Sequence, residues 1–208
     1  MPAATIRFCD ETELGFGWIA EQPELLQRAS HALRSDGRVW LVDPVDGPGL
    51  EERVRVLGEP AGVVQLVDRH DRDCAALATR LGVPHHRLPF AGVPGSPFEV
   101  RTVLSVPGWR EAALWWEAER VLVCMEALGT SRYFRGPDEE LAVHPFLRLR
   151  QPRGLRDLAR FLAPGHVLVG HGEGIHDGAA PALVRAVDTA RRGTPRWLRH
   201  QLRRRRTS

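Results

Sequence analysis

The segment LVDRHDRDC at residues 66–74 carries the densest group of side chains that could perform chemistry. Three aspartates, two arginines and a histidine follow a run of apolar residues. Carboxylates and imidazoles are ligands for zinc, iron and manganese, whereas guanidinium groups pair with carboxylates or bind anions through two hydrogen bonds. The segment therefore predicts a metal site, the remains of one in which charged groups bind an anion, or a polar turn.

Polar side chains also follow three other apolar runs. RVWLV precedes Asp43, RVLVCM precedes Glu126, and HVLVG precedes His171. In α/β sheets, the loops beyond the carboxyl ends of the strands project side chains into one shared crevice. We therefore expect these residues to face the same crevice as Asp68. A simpler interpretation stays open for the acids, because acids after strands also cap helices and stabilise turns.

Helices and strands that could position these side chains alternate along the first half of the chain. Hydrophobic periodicity and turn residues predict helices at Pro23–Arg34, 49–57 and 72–81, and strands at 38–42, 62–67 and 86–88. In the second half they predict strands at 98–106, 112–116, 120–124 and 166–169, and helices at 155–162 and 180–192. Residues 107–111 read as a turn, and residues 131–153 as an excursion with weak periodicity. The alternation predicts an α/β fold.

Length and composition indicate a globular protein that needs no disulfides. The 208 residues suit one domain over residues 1–195, with an arginine-rich tail at 196–208 that we expect to be flexible. With 43% hydrophobic and 26% charged residues, and no apolar run of about 18 residues, we expect a soluble protein. No secretory signal is apparent, so we expect a cytoplasmic location.

Cysteines and basic residues carry less functional information. Cys9, Cys74 and Cys124 lack CxxC spacing, which argues against a disulfide framework and against a cysteine-based zinc site. All 29 basic residues are arginine, which indicates a composition bias more than selection for phosphate contacts. The formal net charge of +3 is modest, and much of it comes from RRRR at residues 203–206.

The order of these segments resembles that of the metallo-β-lactamase-fold hydrolases. The resemblance covers roughly residues 36–180 and rests on DGRVWLVDP, LVDRHDRDC followed by a helix, SVPGWREAALWWEAERVLVCMEALG, and HVLVGHGEGI. It implies an αββα sandwich of two mixed β-sheets flanked by helices, and one or two zinc, iron or manganese ions that activate water. In that family the second strand ends in HxHxDH, a proline-glycine turn carries another histidine, a later strand ends in a metal-bridging aspartate, and a terminal strand ends in a further histidine.

The HxHxDH part of the family pattern is largely replaced in this chain. His70 takes the second histidine, and Asp68 stands for the first. Arg72 stands for the aspartate and Asp73 for the last histidine. Arg72 puts a permanent positive charge where the family has an acid, which opposes a divalent ion. Arg69 and Arg72 would on this interpretation replace the metal, either by pairing with the acids or by binding an anionic ligand.

More of the family pattern remains in the later segments. Trp109 falls near the histidine of the proline-glycine turn and supplies no ligand there. Glu126 replaces the bridging aspartate with a side chain that is one methylene longer, and His171 in GHG matches directly. Five side chains of ligand type remain for one ion if Arg72 points away, namely Asp68, His70, Asp73, Glu126 and His171.

Three functions are compatible with these residues. The resemblance favours metal-dependent hydrolysis of an ester, thioester, lactone or phosphodiester. The lost histidines favour a metal-free domain that binds a small anionic ligand or a protein partner through Arg69, Arg72, Trp109 and Glu126. Nucleic-acid binding by RWLRHQLRRRR is less favoured, because the body shows no obvious basic face. We expect a small-molecule partner and no membrane, and a homo-oligomer stays open.

Overall fold

Two β-sheets and four α-helices build the fold in the computed structural model, which describes residues 5–21 and 26–204. The first sheet contains, in spatial order, β1 (Ile6–Thr12), β2 (Gly15–Ala20), β3 (Ala29–Ser35), β4 (Arg38–Val42), β5 (Glu59–Gln65) and β6 (His85–Arg87). The second contains β7 (Glu99–Val106), β8 (Trp109–Trp116), β9 (Val121–Cys124) and β12 (His166–Val169), with β12 next to β9. A separate ribbon pairs β10 (Leu128–Gly129) with β11 (Ala142–Val143). The helices are α1 (Leu50–Leu57), α2 (Cys74–Leu81), α3 (Arg153–Phe161) and α4 (Ala179–Arg204), and a short 3₁₀ helix covers Pro145–Leu147.

Successive apolar side chains along a strand pack alternately into the core between the two sheets and into the core between a sheet and its covering helices. Along β4, Val39 and Leu41 belong to the core beneath α1 and α2, whereas Trp40 and Val42 belong to the core between the sheets. Strands β8, β9 and β12 divide in the same way between the core between the sheets and the core beneath α3 and α4. Successive side chains of a strand point to opposite faces, so each sheet is covered on both sides. The predicted αββα sandwich is confirmed.

The helix predicted over Pro23–Arg34 is wrong at all of its described residues, because residues 26–28 are not helical and β3 begins at residue 29. Residues 23–25 lie outside the described residues. Strand β3 pairs with β2 on one side and β4 on the other, and its first five residues are buried. Pairing with two neighbouring strands outweighs the helical spacing of apolar residues in this segment.

The other predicted helices and strands correspond to elements of the structure, and their bounds are shifted by a few residues except at the end of the last helix. Strand β8 begins at Trp109, so the turn predicted over residues 107–111 is confined to Pro107 and Gly108. Strands β1, β2, β10 and β11 were not predicted. Within the residues that the structure describes, no helix has the length and apolar character to cross a membrane.

Helix α4 continues to Arg204, so its predicted end at Arg192 is wrong. Pro195 lies inside the helix and removes one hydrogen bond from it. A tertiary contact stabilises the helical turns after Pro195, because Trp197 Nε1 donates a hydrogen bond to the Tyr133 carbonyl oxygen at 3.2 Å. The first nine residues of the predicted tail are therefore helical.

Arg72 joins the ends of three strands. Its Nη1 donates to the carbonyl oxygen of Ala29, the first residue of β3, and to that of Asp43, just beyond β4, at 2.8 Å. Its Nη2 donates to the carbonyl oxygen of Gly170, just beyond β12, at 3.0 Å. Burial lowers the pKa of Arg72, although the Asp43 carboxylate acts in the opposite direction. The guanidinium group thus links the first sheet to the second.

We expect Arg72→Met to lower the free energy of unfolding by about 3 kcal/mol, because it leaves several strand-end carbonyl groups without their charged donor. Urea unfolding followed by circular dichroism measures the change. Arg55→Met on α1 is the matched control, since Arg55 makes an exposed ion pair with Glu51 and its loss should cost less than about 0.5 kcal/mol. Equal effects of the two substitutions would contradict the role of Arg72.

Candidate metal centre

Glu126 and His171 lie side by side because of the register between β9 and β12. These strands are parallel, and Cys124 at the end of β9 pairs with Val169 at the end of β12. The pairing continues one residue further, since the Gly170 amide donates to the Met125 carbonyl oxygen at 2.9 Å. Glu126 and His171 are the next residues on the two chains, which brings their side chains to the same edge of the sheet.

His70 completes a group of three side chains at this edge. It comes from the loop after β5, and its Nε2 lies 3.1 Å from Glu126 Oε2. His171 Nε2 lies 3.2 Å from the same oxygen. Among the described residues, these three are the group of potential metal ligands whose atoms all lie within 4.8 Å of one another. Glu126 and His171 are buried, whereas the His70 side chain is 29% exposed.

Hydrogen bonding fixes the orientation of His171. Its Nδ1 lies 3.0 Å from the carbonyl oxygen of Leu26, which can only accept, so Nδ1 carries a hydrogen and donates it. In a neutral ring, Nε2 then presents a lone pair to the Glu126 carboxylate. A proton or a metal ion on Nε2 is needed to make that contact attractive. His70 is less constrained, since its buried Nδ1 has no hydrogen-bond partner in the described part of the chain.

Charge balance in the group favours an ionised Glu126. Burial on its own raises the pKa of this carboxyl, because it penalises the charged form. Hydrogen bonds from His171 and His70, and the charge that these rings carry when protonated, outweigh burial and hold the pKa of Glu126 well below its ordinary range. The group therefore combines one carboxylate with two imidazoles, a donor set that suits zinc, iron and manganese.

Glycines around His171 allow close backbone packing. A Cβ atom on Gly170 would lie 2.4 Å from the Met125 carbonyl oxygen. Gly172 has a φ of 96°, and a Cβ there would lie 2.2 Å from Thr130 Oγ1. Side chains at either position would push the His171 loop away from the segment that follows β9, which contains Met125 and Thr130.

Asp68 and Asp73 do not join the group that the sequence assigned them to. The Asp68 carboxylate accepts hydrogen bonds from the backbone N–H of Arg110 at 2.7 Å and from its Nε at 2.9 Å. Asp73 Oδ2 accepts from the backbone N–H of Asp46 at 2.8 Å. Each carboxylate thus holds the backbone of a segment distant in sequence, 42 residues away for Asp68 and 27 residues away for Asp73.

Of the predicted pocket groups, Arg69 and Trp109 lie beside Glu126, whereas Arg72 does not face a ligand pocket. The Arg69 guanidinium lies 4.5 Å from the centroid of the Trp109 ring, and its Nη1 lies 4.0 Å from Glu126 Oε1. The Arg69 side chain is 31% exposed, so an approaching anion can reach it. The Arg72 guanidinium group donates its hydrogen bonds to backbone carbonyl oxygens at the strand ends. The condition that Arg72 points away from the metal ligands is thus met.

His144 is a site residue that the sequence did not predict. Its Nε2 lies 3.7 Å from Glu126 Oε1, and its Nδ1 accepts a hydrogen bond from the Phe146 backbone N–H at 3.2 Å. Burial lowers the pKa of His144 to about 4, so the ring is neutral at pH 7 and carries its hydrogen on Nε2. The sequence signal was only Ala142-Val143 before it, which is too short to read as a strand.

Glu111 was also missed, because it lies in β8 and not in a turn. Its Oε1 accepts the backbone N–H groups of Glu126 at 2.8 Å and Ala127 at 3.0 Å, and its Oε2 accepts Trp109 Nε1 at 3.1 Å. Burial raises the pKa of Glu111 to about 7, although the hydrogen bonds from Ala127 and Glu126 act in the opposite direction. Glu111 therefore anchors the backbone that carries Glu126.

Comparison with known proteins finds similarity in structure and none in sequence. No protein-family model matches the sequence, and no curated protein is significantly similar to it. Among solved structures, DIM-1 metallo-β-lactamase superposes with a TM-score of 0.61 at 14% identity, over 91% of this chain and 98% of that chain. The metallo-β-lactamase FIM-1 from Pseudomonas aeruginosa, in its mono-zinc form, superposes with a TM-score of 0.58 at 7% identity, over 93% and 98% of the two chains. The sandwich architecture and this nearly complete overlap show that the chain has the metallo-β-lactamase fold.

Proposed function

We propose that this chain is a metal-dependent hydrolase that holds one divalent ion through His70, Glu126 and His171. The observation that carries the proposal is the approach of two imidazole Nε2 atoms to the same carboxylate oxygen, at 3.1 and 3.2 Å. One bound ion supplies a Lewis acid that polarises a carbonyl or phosphoryl oxygen and acidifies water. Hydrolysis of an ester, thioester, lactone or phosphodiester is the reaction class that we infer.

The donor set and its spacing support this proposal. Ligand atoms at about 2.0 to 2.2 Å from one ion lie roughly 3 to 3.5 Å from each other, which covers the distances of 3.1 and 3.2 Å from the two Nε2 atoms to Glu126 Oε2. The Leu26 carbonyl oxygen acts as the outer partner that orients a metal-binding histidine and keeps Nε2 free of hydrogen. A similar fold with a mono-zinc form, FIM-1, is consistent with one ion.

The chain's own groups around the ion site have distinct tasks in this proposal. His144 presents an N–H group that can donate to negative charge developing on the substrate or on its leaving group. Arg69 lies at the exposed edge of the site, where its guanidinium can pair with an anionic group of the substrate. The rings of Trp109, Phe134 and Phe146 surround His144 and limit the access of water.

A metal-free domain that binds an anion is the second candidate function. It is favoured by Arg69, whose exposed guanidinium stacks on Trp109 beside the site. In that case His70 and His171 serve to stabilise the buried Glu126 carboxylate, and catalysis does not occur. The two candidates differ in whether the protein retains an ion.

We expect the untagged protein, incubated with zinc, manganese or iron(II) and then desalted, to retain about one ion per chain. His171→Ala and Glu126→Ala should each reduce the retained metal more than tenfold, because each removes one of three protein ligands. Inductively coupled plasma mass spectrometry measures the metal content. His86→Ala, which removes a histidine from β6, is the matched control and should leave the content unchanged. Absence of metal from the wild-type protein would contradict the proposal and favour the anion-binding alternative.

We expect His144→Phe to lower kcat about 100-fold without loss of metal, because it removes an N–H donor from the site and keeps an aromatic ring in the same position. The assay is hydrolysis of chromogenic ester, lactone, thioester and phosphodiester substrates by the metal-loaded protein. Thermal unfolding of the variant checks that the fold is retained. An unchanged kcat in a folded, metal-loaded variant would rule out His144 as the donor.

A further inference from the structure

A groove of about 940 Å³ lies between the chain segment that leads into α3, α3 itself and α4. It is formed by residues 148–161 and 184–191, and none of the candidate metal ligands lines it. Its volume falls within the range of roughly 300 to 1,000 Å³ that is typical of small-molecule sites. The groove is therefore large enough for a ligand of its own.

Positive charge dominates the groove. Six arginines and two aspartates line it. Arg148 is buried and donates to Glu139 at 2.9 Å, and Arg153 pairs with Asp157 at 3.4 Å. In the described ranges, the other arginines of the groove form no ion pair with a carboxylate, and they are Arg150, Arg156, Arg160 and Arg191. Unpaired guanidinium groups along one groove attract anions.

Exposed apolar side chains share the groove with these arginines. Leu149, Phe161 and Val184 line it and are all exposed. The Arg160 guanidinium lies 5.1 Å from the centroid of the Phe161 ring. Three of the nine exposed large hydrophobic side chains in the described residues thus lie in this one groove. Such a concentration is typical of a binding surface.

We propose that the groove binds one amphiphilic anion, a molecule in which a carboxylate or phosphate head group is joined to an apolar chain. The head group pairs with the unpaired arginines, because planar guanidinium groups match the oxygens of either anion. The apolar chain covers Leu149, Phe161 and Val184 and removes them from water. One molecule then pairs with the arginines of the groove and also covers its apolar side chains.

Other anionic partners fit the groove less well. Free phosphate would neutralise the arginines and leave the apolar side chains in water. Nucleic acid binds mainly through its phosphates and through stacked bases, and it would not cover leucine and valine. A flat lipid bilayer does not enter a concave groove between two helices. A single amphiphile is the occupant that matches charge, apolar surface and shape together.

Calorimetric titration of the full chain with dodecanoate and with dodecyl phosphate, each below its critical micelle concentration, tests the proposal. We expect at least one of them to bind saturably, with one molecule per chain. Inorganic phosphate has the negative charge but no alkyl chain, and dodecyl maltoside has the alkyl chain but no charge. Each of these two should bind at least tenfold more weakly than the amphiphilic anion.

Paired charge variants assign the binding to the groove. Arg156→Gln combined with Arg160→Gln should weaken binding of the amphiphile about tenfold, because two partners of the head group are lost. Arg55→Gln combined with Arg87→Gln removes the same charge from α1 and β6, on the first sheet, and should leave the affinity unchanged.

A second pair of variants tests the apolar part of the site. Phe161→Ser should weaken binding about fivefold, because it removes a ring that the chain covers. Phe90→Ser removes an exposed phenylalanine outside the groove and serves as the matched control.

Several results would overturn this proposal. They are the absence of saturable binding, equal weakening by a groove variant and its control, and binding of inorganic phosphate as strong as that of the amphiphile. Binding only to anionic phospholipid vesicles or to a single-stranded oligonucleotide, tested in parallel, would identify a different class of occupant. His171→Ala should bind the amphiphile normally, so this proposal and the metal proposal can fail separately.

Discussion

The parallel hydrogen bonds between β9 and β12 hold Glu126 and His171 next to each other, two residues beyond the last paired positions. The rest of the site is arranged around this pair. Glu111 reaches across from β8 to anchor the backbone of Glu126, and glycines beside His171 let its loop pack against the segment that follows β9. His70 then needs only a loop of suitable length after β5 to reach the shared carboxylate oxygen.

Arg72 shows how a fixed cation can be accommodated close to a carboxylate site. Its Nη groups donate to carbonyl oxygens at the ends of β3, β4 and β12, so its charge stabilises the scaffold and is directed away from solvent. By resemblance to the metallo-β-lactamase-fold hydrolases, this position would carry an acidic ligand. Such an acid could serve a second ion, whereas an arginine opposes one. Under the proposed function, Arg72 therefore favours one ion over two.

Sequence patterns were sufficient to predict the layers of the fold and some residues of the candidate site. Glu126 and His171 were predicted because each follows a short apolar strand, and strand ends of this kind meet at one edge of a sheet. His144 and Glu111 could not be found in this way. His144 follows a two-residue strand in a segment of weak periodicity, and Glu111 was hidden by a turn that proved shorter than predicted. Strand β3 was mistaken for a helix because its apolar residues have helical spacing, and this spacing does not show that the segment pairs with β2 and β4.

The hydrogen bond from His171 to the Leu26 carbonyl oxygen joins residues 145 positions apart, and the contacts of Glu126 with His70 and His171 span 56 and 45 positions. Contacts of such high sequence separation form only after the intervening chain has been brought together, and they slow folding. A compact HxHxDH segment offers an ion several ligands before the chain has folded. In this protein the three side chains proposed as ligands meet only in the assembled sandwich, so an ion bound by them would be captured after folding and would not guide it.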